Sequence, residues 1–161
     1  MPASNITAST RYARFGVTRV VYALTVSNYL SPTRGEINAG TDLSNEVSEI
    51  SGFQVTSNFI DTPDLASSFT PKIIGRTTAD DSSITMYASV NSVDVRTLLP
   101  RGTTGFLMWF DEGDVAGRKF DIYPITVGSV PKERTTDDAA SRLVVNVAIT
   151  RVPAENVTVP A

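Results

Sequence analysis

The chain has 161 residues, 41% of them hydrophobic and 19% charged, and its formal net charge at pH 7 is -3. These values predict one folded domain with a sizeable core, and they argue against a nucleic-acid-binding face built on bulk positive charge. The sequence has no histidine and no cysteine, which excludes disulfides, thiolate metal sites and cysteine nucleophiles and removes the usual zinc ligands and the usual general base. Because the remaining acidic pairs fall in predicted turns, we expect no enzymatic activity, no metal and no cofactor.

The N-terminal segment, residues 1–15, is polar and has no hydrophobic period. It is either a frayed terminus or an arm that docks on a neighbouring subunit through Tyr12 and Phe15. It lacks the basic and apolar regions of a signal peptide, and no apolar run in the chain approaches the ~20 residues that span a bilayer. We therefore expect a soluble protein that is made in the cytoplasm.

The next part of the chain predicts two strands separated by a long polar segment. Apolar residues alternate over 17–26 and again over 53–60, as they do in half-buried strands. Residues 36–49 between them are polar and locally acidic, which predicts a long loop, and loops of that length are usually functional or ordered by a partner. A connection rich in Pro, Asp and Ser follows over 61–70, and then a possible short edge strand over 71–76.

The strongest hydrophobic pattern lies in the second half of the chain. A short helix is predicted over 92–99, capped by Asn91 or Ser92 and carrying a narrow apolar stripe. The strand over 106–110 has no polar residue on either face, so we expect it to be covered on both sides, with the helix as one cover. An acidic turn at 111–114 and a return strand follow.

Further strands are predicted over 83–88 and 142–151, and a short tail over 153–161. Six or seven strands and one helix indicate a mainly β fold: a β-sandwich or small barrel with one flanking α-helix and a long inter-strand loop. The doubly apolar strand and the unstructured arms exceed what a lone sandwich needs. Such a surplus favours self-assembly, in which another copy covers a face or an edge.

Four motifs make the sequence similar to a known family. They are RGEINAGTDL at 34–43, VSEISGF at 47–53, FDEGD at 110–114 and GRKFDIYPI at 117–125. In these motifs the chain resembles the major tail tube proteins of long-tailed, siphovirus-like bacteriophages, especially those of actinobacterial hosts. The likeness covers roughly residues 36–130 and continues through the last strand.

The resemblance implies a single tail tube domain over residues 1–161, six copies of which close into a ring. Stacked rings would form a hollow conduit for genome delivery. The long loop 36–53 would reach a neighbouring ring, and the arms 1–15 and 153–161 would add lesser contacts. The predicted contact residues are Tyr12, Phe15, Glu36, Ile37, Asp42, Leu43, Val47, Ile50 and Phe53. A Leu43→Asp variant is then expected to stay folded and to block tube growth.

The resemblance also implies partners. Besides its own copies, the protein would surround the tape measure protein and viral DNA, without sequence-specific DNA binding, and would meet tail terminator and distal tail proteins. It would reside in the virion tail after assembly in the host cytoplasm, with no membrane contact. Two alternatives stay open. The first is another assembly role: the inner tube of a contractile tail or secretion-type machine, or a tail-terminator or connector ring. The second is a monomeric β-sandwich module that binds carbohydrate or decorates a capsid.

Overall fold

The computed structural model describes residues 4–92 and 94–161. Its strands are β1 (Arg19–Ala23), β2 (Thr41–Asp42), β3 (Val47–Ser51), β4 (Val55–Asp61), β5 (Lys72–Ala79), β6 (Ser82–Tyr87), β7 (Thr104–Phe110), β8 (Lys119–Ser129), β9 (Arg142–Ile149) and β10 (Ala154–Thr158). Its helices are α1 (Arg34–Asn38) and α2 (Val95–Leu98).

Eight of the strands form one antiparallel sheet in the order β2-β1-β7-β8-β9-β6-β3, with β10 paired to β8. The two end strands, β2 and β3, follow each other in the chain. The amide of Leu43 donates to the carbonyl of Val20 at 2.8 Å, and the amide of Tyr87 donates to the carbonyl of Glu46 at 3.0 Å. The first bond holds the end of β2 on β1 and the second holds the start of β3 on β6. Since only residues 43–46 connect β2 to β3, the two ends of the sheet lie close together and the strands enclose a core. The mainly β prediction is confirmed, because the fold is a β-sandwich of antiparallel strands.

The interior of the sandwich is one continuous apolar core. It is built from alternate residues of the strands, since successive side chains of a strand point to opposite faces. Fully buried members include Ile84, Met86, Leu107, Leu143 and Val145. Burying each side chain of this size contributes about 1.5–3 kcal/mol, so this core is the main source of stability.

Strand β7 is buried on both faces, as its sequence predicts. Leu107 and Trp109 point into the interior core, whereas Phe106, Met108 and Phe110 belong to a second apolar cluster on the outer face. Phe110 stacks on Phe120 of β8 with ring centroids 4.5 Å apart. The second cluster is covered by α1 and by the C-terminal segment, through Ile37, Ala154 and Val159. The predicted helix α2 is therefore not the cover of this outer face.

The sequence predicts one long loop over 36–53, but the end of helix α1 and the strands β2 and β3 lie within it, so the loop prediction is wrong for residues 36–38, 41–42 and 47–51. Thr33 caps the helix and Glu36 completes a capping box, a reciprocal arrangement that satisfies the first free amides of a helix. The Glu36 carboxylate accepts from the amides of Ser27 at 2.7 Å and Thr33 at 2.8 Å. These hydrogen bonds lower the pKa of Glu36 to about 2.

Helix α2 is shorter than predicted and begins later. Its N-cap is Asp94, whose carboxylate accepts from the amide of Arg96 at 3.1 Å, instead of Asn91 or Ser92. Position 93 of the predicted helix lies outside the described residues. Val95 and the C-cap Leu99 are buried in the interior core, so the helix closes one end of the sandwich.

The C-terminal segment is part of the sheet and not the free tail that the sequence predicts over 153–161. Strand β10 pairs with β8, with Ala154 opposite Ile122 and Val157 opposite Phe120. Val159 is fully buried against the outer cluster. The tail prediction fails because its few apolar residues bind an apolar strand face that lies far away in the sequence.

Candidate assembly surface

Strands β4 and β5 form a hairpin that is separate from the main sheet. They pair only with each other, antiparallel, with Phe59 opposite Ile74, Ile60 opposite Ile73 and Asp61 opposite Lys72. Branched and aromatic residues favour the extended conformation in both strands. At ~3.4 Å per residue, the seven residues of β4 extend about 24 Å. We call this unit, residues 55–79, the hairpin.

Large apolar side chains are exposed on both faces of the hairpin. Directly opposed residues of an antiparallel pair share a face, so Phe59 and Ile74 lie on one face and Ile60 and Ile73 on the other. Their exposed fractions are 65% and 72% on the first face and 51% and 55% on the second. Leu65 and Phe69 in the connecting loop are also exposed. Contiguous apolar surface of this kind marks an interaction site in a soluble protein.

The root of the hairpin is held tightly by the body. Phe53, just before β4, has a positive φ of 57°, and its ring packs 5.0 Å from Trp109 and 5.5 Å from Tyr123, measured between centroids. Its amide donates to Ser82 Oγ at 2.9 Å, and its carbonyl accepts from Tyr123 Oη at 2.8 Å. The direction in which the hairpin leaves the body is therefore set by buried contacts.

Gly52 makes this root possible. Its φ is 81°, a conformation that other residues seldom adopt, and a Cβ at this position would lie 2.8 Å from Cα of Ser82. Burial of the Tyr123 hydroxyl, together with the charges of Asp121, Glu155 and Asp111, raises the pKa of Tyr123 to about 12. Tyr123 is thus a neutral donor to Phe53 throughout the physiological pH range.

The structure places the predicted contact residues in two environments. Ile37, Leu43 and Phe53 are buried within the subunit, and Val47 is partly buried against the same core. The remaining predicted residues carry accessible surface: Tyr12, Phe15, Glu36, Asp42 and Ile50. Whether any of them contacts a neighbour stays a prediction.

The position of Leu43 changes the outcome that we expect for Leu43→Asp. Leu43 is 5% exposed and belongs to the interior core. A carboxylate placed there would have no partner, and burying an unpaired charge destabilises a fold strongly. Leu43→Asp would therefore disrupt folding before it could report on tube growth.

Sequence reasoning missed the hairpin as a site because it assigned residues 61–70 to a plain connection. The available signal was the placement of apolar residues among polar neighbours. Leu65 and Phe69 interrupt the polar connection, and Ile73 and Ile74 are adjacent, so they occupy both faces of a strand. A strand that is apolar on both faces needs two covers.

The acidic turn after β7 is occupied by structural contacts. Arg34 of α1 pairs with Asp114 through both of its terminal nitrogens, and Arg118 donates to the carbonyl of Glu112. Asp111 lies 3.7 Å from Arg14. Within residues 4–92 and 94–161, no three metal-ligating side chains gather into a cluster. In the same residues, neither helix has the length and apolarity to cross a membrane.

Comparison with known proteins identifies the family. A family model described as phage tail tube protein matches residues 7–161, nearly the whole chain. The chain belongs to the phage tail tube protein family. No curated protein sequence matches it. Membership confirms the resemblance at the level of the family, gives the protein a structural role in a virion tail and implies self-assembly into a tube with other tail proteins. The actinobacterial type of phage stays a prediction.

Proposed function

We propose that this phage tail tube protein closes into hexameric rings, and that the rings stack into a hollow conduit through which the genome is delivered. The observation that carries the proposal is the hairpin: an uncovered ribbon that pairs only with itself and exposes large apolar side chains on both faces. We assign to the hairpin the inter-ring contact that the sequence analysis assigned to residues 36–53. A projection with a preset direction suits stacking, because it spends little ordering entropy when rings meet.

The N-terminal arm would add a second contact between copies. Residues 4–13 form no helix or strand, and Tyr12 and Phe15 expose apolar rings. The salt bridge between Arg14 and Asp111 is long and exposed, and such pairs are weak. The arm can therefore leave the surface of its own subunit and bind the surface of a neighbouring subunit.

The lumen would contain first the tape measure protein and then viral DNA, and the ends of the tube would bind tail terminator and distal tail proteins. Assembly would take place in the host cytoplasm. The net charge of -3 supports passage of DNA without binding, since affinity for DNA comes largely from cationic side chains that neutralise phosphates.

Negative-stain electron microscopy of the purified protein, over a range of concentrations, tests the proposal. Hollow tubes or six-fold rings are expected, with a lumen wide enough for duplex DNA. A Phe59→Ser/Ile74→Ser variant should remain a folded monomer, because both side chains are exposed, and should lose tubes. Purified wild-type protein that stays monomeric even when an initiating tail complex is added contradicts the proposal.

A matched control separates loss of the hairpin contact from loss of apolar surface in general. Leu24 follows β1 on the body and is 65% exposed, as Phe59 is. Leu24→Ser should therefore leave tube formation intact. If Leu24→Ser and the hairpin variant suppress tubes equally, the hairpin is not the main contact.

A further inference from the structure

The two faces of the hairpin are chemically distinct. The Phe59 face, which contains Phe59 and Ile74, includes an aromatic ring and ends in the ion pair between Asp61 and Lys72, 2.9 Å apart. The Ile60 face, which contains Ile60 and Ile73, is aliphatic. On that face Ile60 lies across Gly75, where a Cβ would come within 3.0 Å of its Cδ1. The absence of a side chain at Gly75 leaves room for this packing, at the point where β5 contributes one extra residue opposite Asn58.

Each face needs its own cover. Two β layers pack about 10 Å apart, so a ribbon that is covered on both faces occupies a gap of about 20 Å between its covering walls. The cleft beside the hairpin root, lined by Ser51, Asp81 and Ile149 among others, encloses about 620 Å³. That volume suits a small ligand and is too small for a two-stranded ribbon. Two neighbouring molecules supply two walls without requiring a slot in either one.

The charge of the hairpin favours copies of this chain as the covering molecules. Residues 55–79 contain two acids and two bases, Asp61, Asp64, Lys72 and Arg76, so the hairpin is neutral while the whole chain carries -3. A neutral ribbon docks between two acidic bodies without like-charge repulsion, whereas two bodies in direct contact repel each other. Self-assembly into a tube presents the same walls at every repeat.

We propose that each hairpin inserts between two different copies of the chain, with the Phe59 face against one and the Ile60 face against the other. This inference rests on the proposed tube function and specifies the partners of the hairpin. One hairpin then joins three subunits. A subunit that has only one of its two neighbours covers only one face of its hairpin, so the contact is complete only when two adjacent copies are in place.

Photo-crosslinking tests the inference directly. The chain has no cysteine, so a Phe59→Cys/Ile73→Cys variant is labelled by benzophenone maleimide at one site on each face and nowhere else. The labelled protein is mixed with a twenty-fold excess of wild type, assembled into tubes and irradiated. Since nearly all neighbours are unlabelled, a covalent trimer arises only when one labelled hairpin contacts two different copies. Trimers are expected as the largest product.

Single-label variants serve as controls, because Phe59→Cys or Ile73→Cys alone should give dimers and no trimers. Peptide mapping of those dimers should place the two crosslinks on different surfaces of the wild-type partner. Tubes in which the double variant yields only dimers overturn the two-neighbour inference but leave the tube function intact. If the double variant does not enter tubes, the single variants decide the question. Crosslinks from both of them to one common surface of the wild-type partner overturn the two-neighbour inference. Absence of wild-type tubes would instead count against the proposed function.

Discussion

Strand β7 and the hairpin share one property of sequence and differ in what covers them. Both carry large apolar side chains on two faces. Strand β7 is enclosed by the interior core on one side and by α1 and the C-terminal segment on the other, and Met108 and Phe110 are fully buried. The hairpin has the same need for cover, but Phe59 and Ile74 remain mostly exposed. A doubly apolar strand therefore predicts two covers and does not reveal whether they belong to the same molecule.

The largest expected effect falls on the covered strand. Phe110→Ala removes a fully buried ring that stacks on Phe120, and truncations of this type destabilise by about 3–5 kcal/mol. The free energy of unfolding, measured by urea denaturation of the monomer, should fall by that amount. A loss of less than about 1 kcal/mol would mean that the outer cluster is loosely packed. The contrast between a tightly covered β7 and an uncovered hairpin would then disappear.

A smaller loss is expected at the junction of the two regions. Tyr123→Phe leaves the buried carbonyl of Phe53 without its donor, which destabilises by about 1–3 kcal/mol. The wild type should also lose stability as the pH rises from about 10 to about 12. In that interval the unfolded state has released the Tyr123 proton, while the raised pKa of about 12 makes the folded state retain it.

The loss of stability at alkaline pH is checked by urea denaturation at a series of pH values. Tyr123→Phe should lose less of its free energy of unfolding over this pH interval than the wild type does. Tubes of Tyr123→Phe should also show a wider spread of helical twist than wild-type tubes, measured by electron microscopy. The reason is that the hairpin root has lost the hydrogen bond from Tyr123 to Phe53. A variant with unchanged stability and an unchanged alkaline profile would show that the hydroxyl does not anchor the hairpin.

Glu36, on the helix that covers β7, makes a contribution to folding stability that is lost in acid. Its folded-state pKa of about 2 lies below the ordinary value of 4.5, so its contribution is complete above pH 4.5 and is lost as the pH falls towards 2. Glu36→Gln should flatten this part of the stability profile and lower stability slightly at pH 7. The check is thermal denaturation between pH 7 and pH 2; identical slopes for both proteins would refute the assignment.

The smallest effect on stability is expected on the uncovered ribbon. Ile74→Ser replaces an exposed side chain, so the free energy of unfolding of the monomer should change by no more than about 0.5 kcal/mol. Tube formation should nevertheless require a higher protein concentration, measured by sedimentation. A large loss of monomer stability would show that the hairpin is already covered by its own chain.

The local pattern of apolar and polar residues predicted much of the body and little of the assembly surface. The alternation in β9 and the double apolarity of β7 identified both strands and the need for two covers. Helix α1 was missed because its five residues contain only one buried apolar side chain, Ile37. Its formation depends on the capping box of Thr33 and Glu36 and on an apolar sheet face to pack against. Short helices draw most of their stability from such tertiary contacts.

The sequence by itself determined the mainly β class, the absence of histidine and cysteine chemistry, the two-sided burial of β7 and the likeness to tail tube proteins. Only the tertiary structure decided which segments supply the covers. It placed Leu43 and Phe53 inside the subunit, formed β10 from C-terminal residues, and left most of residues 55–79 exposed. The physical reason is that burial depends on contacts between residues far apart in the chain, whereas a sequence pattern records only the need for burial.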